Sequence, residues 1–292
     1  EEMKQYEIPA FDLVIVDLYP FEETVKSTDD PAKIIEKIDI GGISLIRAGG
    51  KNFNEVVIVP DSKYYVEFME LYKAQNGCTS LEDRKRFAKY AFATSSHYDG
   101  MIYDWFAKDD ATSDLNIHID NRSELRYGEN PHQKGYFYGN FDEMFEQLQG
   151  KEISYNNLLD INAAVELIGD FAGETTFAIL KHNNACGLAS RPTLAEAWDA
   201  ALAGDPVSAF GGVLIANANV DKATAEKVNE IFFEVIIAPS YDADALEVLK
   251  QKKNRIILIQ KSTEMPEKTF RSVLNGVLVQ DRDAKVETAA DL

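Results

Sequence analysis

The chain of 292 residues is long enough for one large domain or two ordinary ones with real hydrophobic cores. Its composition, 45% apolar and 27% charged, is that of a folded globular protein, and no apolar run approaches the roughly 20 residues that span a bilayer. With 30 basic against 49 acidic residues the net charge is -19, which repels phosphate backbones and argues against nucleic acid as a partner.

The first residues, Glu1 to Gln5, are polar and do not read as a signal peptide, and a start at glutamate suggests a natural N-terminus further upstream. Cys78 and Cys186 lie far apart and form no CxxC pair, which fits a reduced, cytoplasmic setting. The histidines (His97, His118, His132 and His182) lack zinc-ligand spacing, and the H-x3-C pair of His182 and Cys186 has no further ligands, so no metal is expected.

In chain order, Phe11 to Val16 reads as a buried strand and Val56 to Val59 as another. Between them Pro31 to Ile38 has helical composition, with proline at the first position. Asp61 caps a second helix running to about Gln75. A third spans Leu81 to Phe106, where Phe87, Tyr90, Ala91, Thr94, Tyr98, Met101, Ile102 and Trp105 recur at helical spacing and read as a core stripe. Asp109 to Asn121 is polar and irregular, which places a domain boundary there and gives domains 1–121 and 122–292. Beyond it, strands are expected at Thr175–Ile179, Gly212–Ile215, Arg255–Ile259 and Gly276–Val279. Helices are expected at Asp142–Leu148, Leu158–Phe171, Thr193–Ala203, Lys222–Phe232 and Ala245–Lys252. The alternation indicates an α/β layer structure.

Polar and glycine-rich clusters fall at the ends of these segments, where α/β proteins bind ligands. Asp17-Leu18-Tyr19-Pro20-Phe21 follows the first strand and reads equally as a proline turn with buried aromatics. Asp39-Ile40-Gly41-Gly42 and Arg47-Ala48-Gly49-Gly50-Lys51-Asn52 offer bare backbone and two cations to an anion, or else a glycine helix stop beside solvated cations. Leu125-Arg126-Tyr127-Gly128-Glu129-Asn130-Pro131-His132-Gln133 packs more functional groups into a loop than turning requires. Ser154-Tyr155-Asn156-Asn157 precedes a helix that Asn157 can cap. Lys181-His182-Asn183-Asn184 follows an apolar strand. If the strand ends there, an imidazole that titrates near neutrality and an ammonium that stabilises negative charge can serve one site. Asp205-Pro206-Val207-Ser208-Ala209-Phe210-Gly211-Gly212 joins a helix to a strand and leaves room for a ligand against bare backbone.

In this order the clusters resemble the bifunctional AICAR transformylase / IMP cyclohydrolase family, and most closely its shorter, Bacteroidetes-type members. The sequence carries DLYPF from Asp17, IDIGG from Ile38, RAGGKN from Arg47 and LRYGENPHQ from Leu125. It continues with GKEISYNN from Gly150, KHNNACG from Lys181, DPVSAFGG from Asp205, EVIIAP from Glu234 and KKNR from Lys252. The resemblance implies a partial methylglyoxal-synthase-like domain followed by a cytidine-deaminase-like, zinc-free transformylase domain whose C-terminal half is absent. It implies a role in purine biosynthesis: formyl transfer from 10-formyltetrahydrofolate to AICAR, then closure of formyl-AICAR to IMP. Lys181 and His182 match the family's catalytic lysine and histidine. Tyr19, Asp39 and Lys51 match its proposed cyclohydrolase residues. Arg126, Tyr127, Gly211 and Glu234 match nucleotide-binding positions, as do Asp17 and Ile40. Asp17 stands where the family usually has asparagine, and Gly49-Gly50 where it has alanines.

The family also has a serine-rich phosphate loop and a KTLHP motif ahead of this span and a second deaminase-like half after it, so little activity is expected of these residues alone. Its members are homodimers acting on small molecules. Two other readings compete: a nucleotide-binding module that has lost catalysis, and an acidic interaction domain that binds no nucleotide.

Overall fold

Val57, Ile58 and Val59 are buried and form the strand around which the first unit, Glu1–His118, is assembled. Its elements are α1 (Glu2–Gln5), β1 (Leu13–Ile15), α2 (Phe21–Ser27), α3 (Pro31–Ile35), α4 (Gly41–Lys51), β2 (Val57–Val59), α5 (Tyr65–Ala74) and α6 (Leu81–Ala107). The computed structural model describes residues 2–110, 114–283 and 285. The division into two units falls between His118 and Ile119, three residues before the expected one, and residues 111–113 of the irregular stretch lie outside the described residues.

β1 pairs in parallel with β2, Val14 opposite Ile58. Side chains alternate along a strand, so Val14 packs toward Ile46, Ile58 and Ala91 while Leu13 and Ile15 face outward. The expectation of a buried first strand is therefore correct for one face only. Gly49-Gly50 lies within the last turn of α4, which ends one residue later at Lys51. A Cβ on Gly49 would stand 3.0 Å from Ile58 Cβ and one on Gly50 3.1 Å from Ala91 Cβ, so the pair lets α4 lie close on β2 and α6. Asp61 caps a single 3-10 turn, Ser62–Tyr64, that leads into α5. Ser80 and Asp83 form a reciprocal capping box at the start of α6.

The second unit, Ile119–Leu292, continues with β3 (Arg122–Leu125), β4 (Gly135–Tyr138), α7 (Phe141–Met144), β5 (Phe145–Gln149), α8 (Tyr155–Gly169), β6 (Thr176–Lys181), β7 (Asn184–Ser190) and α9 (Leu194–Leu202). It ends with β8 (Gly212–Ala216), α10 (Lys222–Val228), β9 (Phe233–Ala238), α11 (Ala243–Leu249), β10 (Ile256–Gln260), β11 (Lys268–Val273) and β12 (Gly276–Asp281). Six strands form one mixed sheet in the order β5-β10-β9-β8-β6-β7. β10, β9 and β8 are parallel, and β5, β6 and β7 complete the sheet with antiparallel pairings. β3 with β4 and β11 with β12 form separate hairpins.

Alternation along the strands feeds two cores. Ala178, Leu180, Val213, Ile215, Val235 and Ile237 face Ile161, Ala164, Val165 and Ile168 of α8. Phe177, Ile179, Leu214, Ile236 and Ile257 face the other way, against Trp198 of α9, Val228 of α10 and Leu249 of α11. The result is a three-layer α/β unit around a central sheet. The helix expected at Asp142–Leu148 is corrected: it ends at Met144, and Phe145 onward pairs with β10. The helix expected to reach Phe232 stops at Val228, because Phe233 begins β9.

Candidate functional site

In the first unit, Asp17 and Tyr19 follow the carboxyl end of β1, and Pro60 and Asp61 follow that of β2. These residues line a cavity of about 300 Å³ together with Glu22, Thr94, His97 and Tyr98. Tyr65 donates its phenolic hydrogen to Asp17 Oδ2, and that hydrogen bond pushes the Tyr65 phenol above its ordinary value. Tyr19 is 56% exposed, with Lys37 Nζ 5.5 Å from its ring centre. Asp39 lies just ahead of α4, and its Oδ1 accepts the Gly42 N–H at 2.6 Å. Tyr98 ties the Asp39 loop to the cavity, because its hydroxyl accepts the Asp39 N–H at 2.7 Å and donates to Lys37 O at 2.8 Å. Burial raises the Tyr98 phenol, so it stays a neutral bridge. Ile40 is exposed. Lys51, also exposed, closes α4, so it and Asp39 lie at opposite ends of one helix, about 15 Å apart along its axis.

In the second unit the matching residues gather along one end of the central sheet. Lys181 ends β6, Gly211 precedes β8, Glu234 is the second residue of β9, Arg255 precedes β10 and Lys151 follows β5. Sheet order puts β8 between β6 and β9, so Lys181 and Glu234 stand two strand spacings apart, about 10 Å. For β8, β9 and β10 this is the amino end, contrary to the carboxyl-end rule for doubly wound parallel sheets. The sheet is mixed, and the antiparallel β6 delivers its own carboxyl end to the same edge.

β6 and β7 are joined by a two-residue turn, with Lys181 opposite Asn184. His182 (φ 51°) and Asn183 (φ 62°) are both left-handed, as a type I′ turn requires. Lys181 and His182 thus stand at a strand end. Lys181 Nζ donates to Phe210 O at 2.7 Å, and Gly211, at φ 77°, donates its N–H to Phe232 O at 2.7 Å. A side chain is strained at that φ, so glycine suits the position.

A cavity of about 470 Å³ is lined by Arg126, Lys151, Phe232, Phe233, Glu234, Lys252, Lys253, Asn254 and Arg255. Five cations thus surround one carboxylate. Burial raises the Glu234 carboxyl, but Lys151 Nζ at 2.8 Å and Asn157 Nδ2 at 3.3 Å outweigh it and hold the group below its ordinary value. Arg255 is buried, its guanidinium 3.9 Å from the Phe233 ring centre, and desolvation lowers it to about 10. Arg126 is exposed and lies over the Tyr127 ring at 5.2 Å. The loop after it is closed by Gly128 N–H on Gln133 O at 2.7 Å and by Gln133 Oε1 accepting the Asn130 N–H at 2.8 Å.

The cavity therefore unites Arg126 and Glu234. Lys181, His182, Tyr127 and Gly211 do not line it; Lys181 and Gly211 connect to its rim through Phe210 and Phe232. Sequence reasoning overlooked Lys151 and Tyr98. Lys151 sits in GKEISYNN, beside Asn157, which both caps α8 and reaches Glu234, so the motif itself carried the signal. Among the described residues, no group of three or more His, Cys, Asp or Glu is placed to hold a metal ion, and no helix is long and apolar enough to cross a membrane.

Residues 49–292 match the family model described as "AICARFT/IMPCHase bienzyme". The chain belongs to the AICARFT/IMPCHase bienzyme family. The protein described as "Bifunctional purine biosynthesis protein PurH" from Bacteroides thetaiotaomicron is 62% identical over 292 residues, covering 100% of this chain and 57% of the relative. The protein of the same description from Rhodospirillum rubrum is 46% identical over 301 residues, with 99% and 57% covered. That from Lactobacillus delbrueckii subsp. bulgaricus is 43% identical over 304 residues, with 99% and 59% covered. The chain thus spans under two thirds of the length of these relatives. Lys51 and every candidate of the second unit lie inside the AICARFT/IMPCHase match; Asp17, Tyr19, Asp39 and Ile40 precede it.

Proposed function

We propose that the protein acts in purine biosynthesis, transferring the formyl group of 10-formyltetrahydrofolate to the 5-amino group of AICAR and closing the product to IMP. Family membership supports this reading. The observation that carries it is the cation-lined sheet end, where Arg126 and Glu234 share a cavity and the Lys181-His182 strand terminus adjoins its rim. A net charge of -19 makes such a local cluster the more specific for a small phosphorylated ligand.

On this reading residues 122–292 form part of a zinc-free, cytidine-deaminase-like transformylase domain. His182 accepts the proton of the attacking amine as the new N–C bond forms at the formyl carbon. The Lys181 ammonium, held by Phe210 O, stabilises the oxyanion of the tetrahedral intermediate. As that intermediate collapses, the bond from carbon to the folate nitrogen breaks and that nitrogen takes up a proton. Arg126, Tyr127, Gly211 and Glu234 bind the nucleotide; Glu234, held ionised, accepts hydrogen bonds from hydroxyl groups.

Residues 1–121 form part of a methylglyoxal-synthase-like cyclohydrolase domain, in which Tyr19, Asp39 and Lys51 serve ring closure and Asp17 and Ile40 contact the nucleotide. Lys51, a helix length from Asp39, acts on a different part of the ligand. Ring closure is intramolecular, so positioning supplies most of its rate. A cytoplasmic homodimer completes the reading.

The test is His182→Ala in a polypeptide of the relatives' full length that carries this sequence. Formyl transfer is expected to fall by about two to four orders of magnitude while closure of supplied formyl-AICAR is unchanged. Equal loss of both activities, or of neither, sinks the assignment.

A further inference from the structure

The turn that carries His182 contains no glycine, so both of its left-handed positions carry side chains. Type I′ turns prefer Asn-Gly, whereas here a histidine and an asparagine occupy both left-handed positions. Side chains strained in this way persist only where their surroundings hold them. Two contacts do so. Asn184 Nδ2 donates to His182 O at 2.7 Å, within the hairpin. The other comes from outside it: Asp160 Oδ1 accepts the Asn183 N–H at 2.7 Å.

Asp160 lies in the second turn of α8, a helix whose adjoining face is fixed by Ile161, Ala164, Val165 and Ile168 in the core. The same end of α8 holds two other parts of the sheet end. Asn156 Nδ2 donates to Glu129 O at 3.2 Å in the loop after Arg126, and Asn157 Nδ2 donates to Glu234. One rigid helix thereby sets the relative positions of the Arg126 loop, the Glu234 carboxylate and the His182 turn. Of these ties, that of Asp160 bears most directly on a proton-transfer group, since it grips the residue next to His182.

We propose that Asp160 is the positioning residue for His182: by accepting the Asn183 N–H it holds the left-handed turn and so fixes where the imidazole stands. The inference rests on the role given to His182 above. Neither Asp160 nor Asn183 needs to touch a substrate. An asparagine at position 160 keeps an acceptor oxygen, whereas an alanine keeps none.

The contact is tested on this chain by amide hydrogen exchange at Asn183. Asp160→Ala is expected to speed exchange about threefold to tenfold, as loss of one hydrogen bond should, and Asp160→Asn to leave it near the unsubstituted rate. The consequence is tested in a polypeptide of the relatives' full length. There Asp160→Ala should lower kcat for formyl transfer by about tenfold to a hundredfold with KM for AICAR little changed, and Asp160→Asn should restore most of it. In a His182→Ala background Asp160→Ala should cost nothing further, because its effect passes through the imidazole. Unaltered Asn183 exchange, an effect confined to KM, or an equal loss without His182 overturns the proposal. If the unsubstituted polypeptide transfers no formyl group, the functional reading fails and this inference with it, whereas unaltered exchange at Asn183 sinks this inference alone.

Discussion

Lys151 Nζ stands 2.8 Å from Glu234 Oε2, at the edge where the loop after β5 meets the start of β9. The pair is a third exposed, so it contributes little as a surface ion pair. Its consequence is for the carboxylate's titration. Burial alone would raise Glu234, and the lysine is the largest opposing influence. Replacing Lys151 with methionine should therefore move the Glu234 midpoint upward, to its ordinary value of 4.5 or above. Because the folded-state value is lowered, the stability it contributes is present above pH 4.5 and is lost as pH falls through the lowered value. In the Lys151→Met protein that acid-side loss should disappear, because the folded value no longer lies below the unfolded one. Carbon-13 NMR titration of the Glu234 carboxyl checks it, and an unmoved midpoint would refute the account.

Gly187 shows a glycine of the Lys181 motif serving packing rather than chemistry. A Cβ there would lie 1.8 Å from Ala201 O and 2.8 Å from Ala201 C, where β7 runs under α9. Backbone cannot step aside as a flexible side chain can. Gly187→Ala should cost about 3 kcal/mol or more, read as a lowered urea midpoint of this chain. A cost below about 1 kcal/mol would mean that β7 and α9 separate freely.

At the start of α6, Ser80 Oγ accepts the Asp83 N–H at 3.1 Å, and Asp83, although buried, is held below the ordinary carboxylate range first by the Ser80 hydroxyl. Ser80→Ala removes the cap and the leading cause of that lowering. A loss of about 1–2 kcal/mol in urea denaturation is expected, together with a higher Asp83 midpoint. The folded Asp83 value then lies closer to its unfolded one, so the part of the first unit's acid sensitivity that Asp83 contributes should shrink.

Asp17 places a carboxylate on the wall of the first unit's cavity, partnered by Tyr65. Removing a like charge about 4 Å from a phosphate in water is worth about 1 kcal/mol. Asp17→Asn, which retains an acceptor for Tyr65, should tighten binding of a purine nucleoside monophosphate by about threefold to tenfold, and by less at high salt. Calorimetry at two ionic strengths decides it, and unchanged affinity at low salt would place the phosphate elsewhere.

Long periodic segments were legible without a structure. The stripe from Phe87 to Trp105 reads as one helix because every third or fourth residue is apolar, and α6 runs from Leu81 to Ala107. Short segments were not. Residues 142–148 have helical composition, yet Phe145–Gln149 becomes a strand because β10 supplies its hydrogen-bond partners. Asn184–Ser190 has neither alternation nor β-branched residues, and it is a strand because the type I′ turn folds it back on β6.

Motif chemistry and hydrophobic period are local properties of the chain, and from them alone the family, the α/β class and the inventory of groups at issue could be read. Which of those groups meet depends on the packed fold. The start of α8, bonded both to the loop after Arg126 and to Glu234, brings those two residues to one cavity. Asn157 and Asp160, in the first two turns of α8, turn out to grip Glu234 and the His182 turn, at distant positions in the chain. Such distances follow from sheet pairing and helix packing between remote residues, and no local window of sequence encodes them.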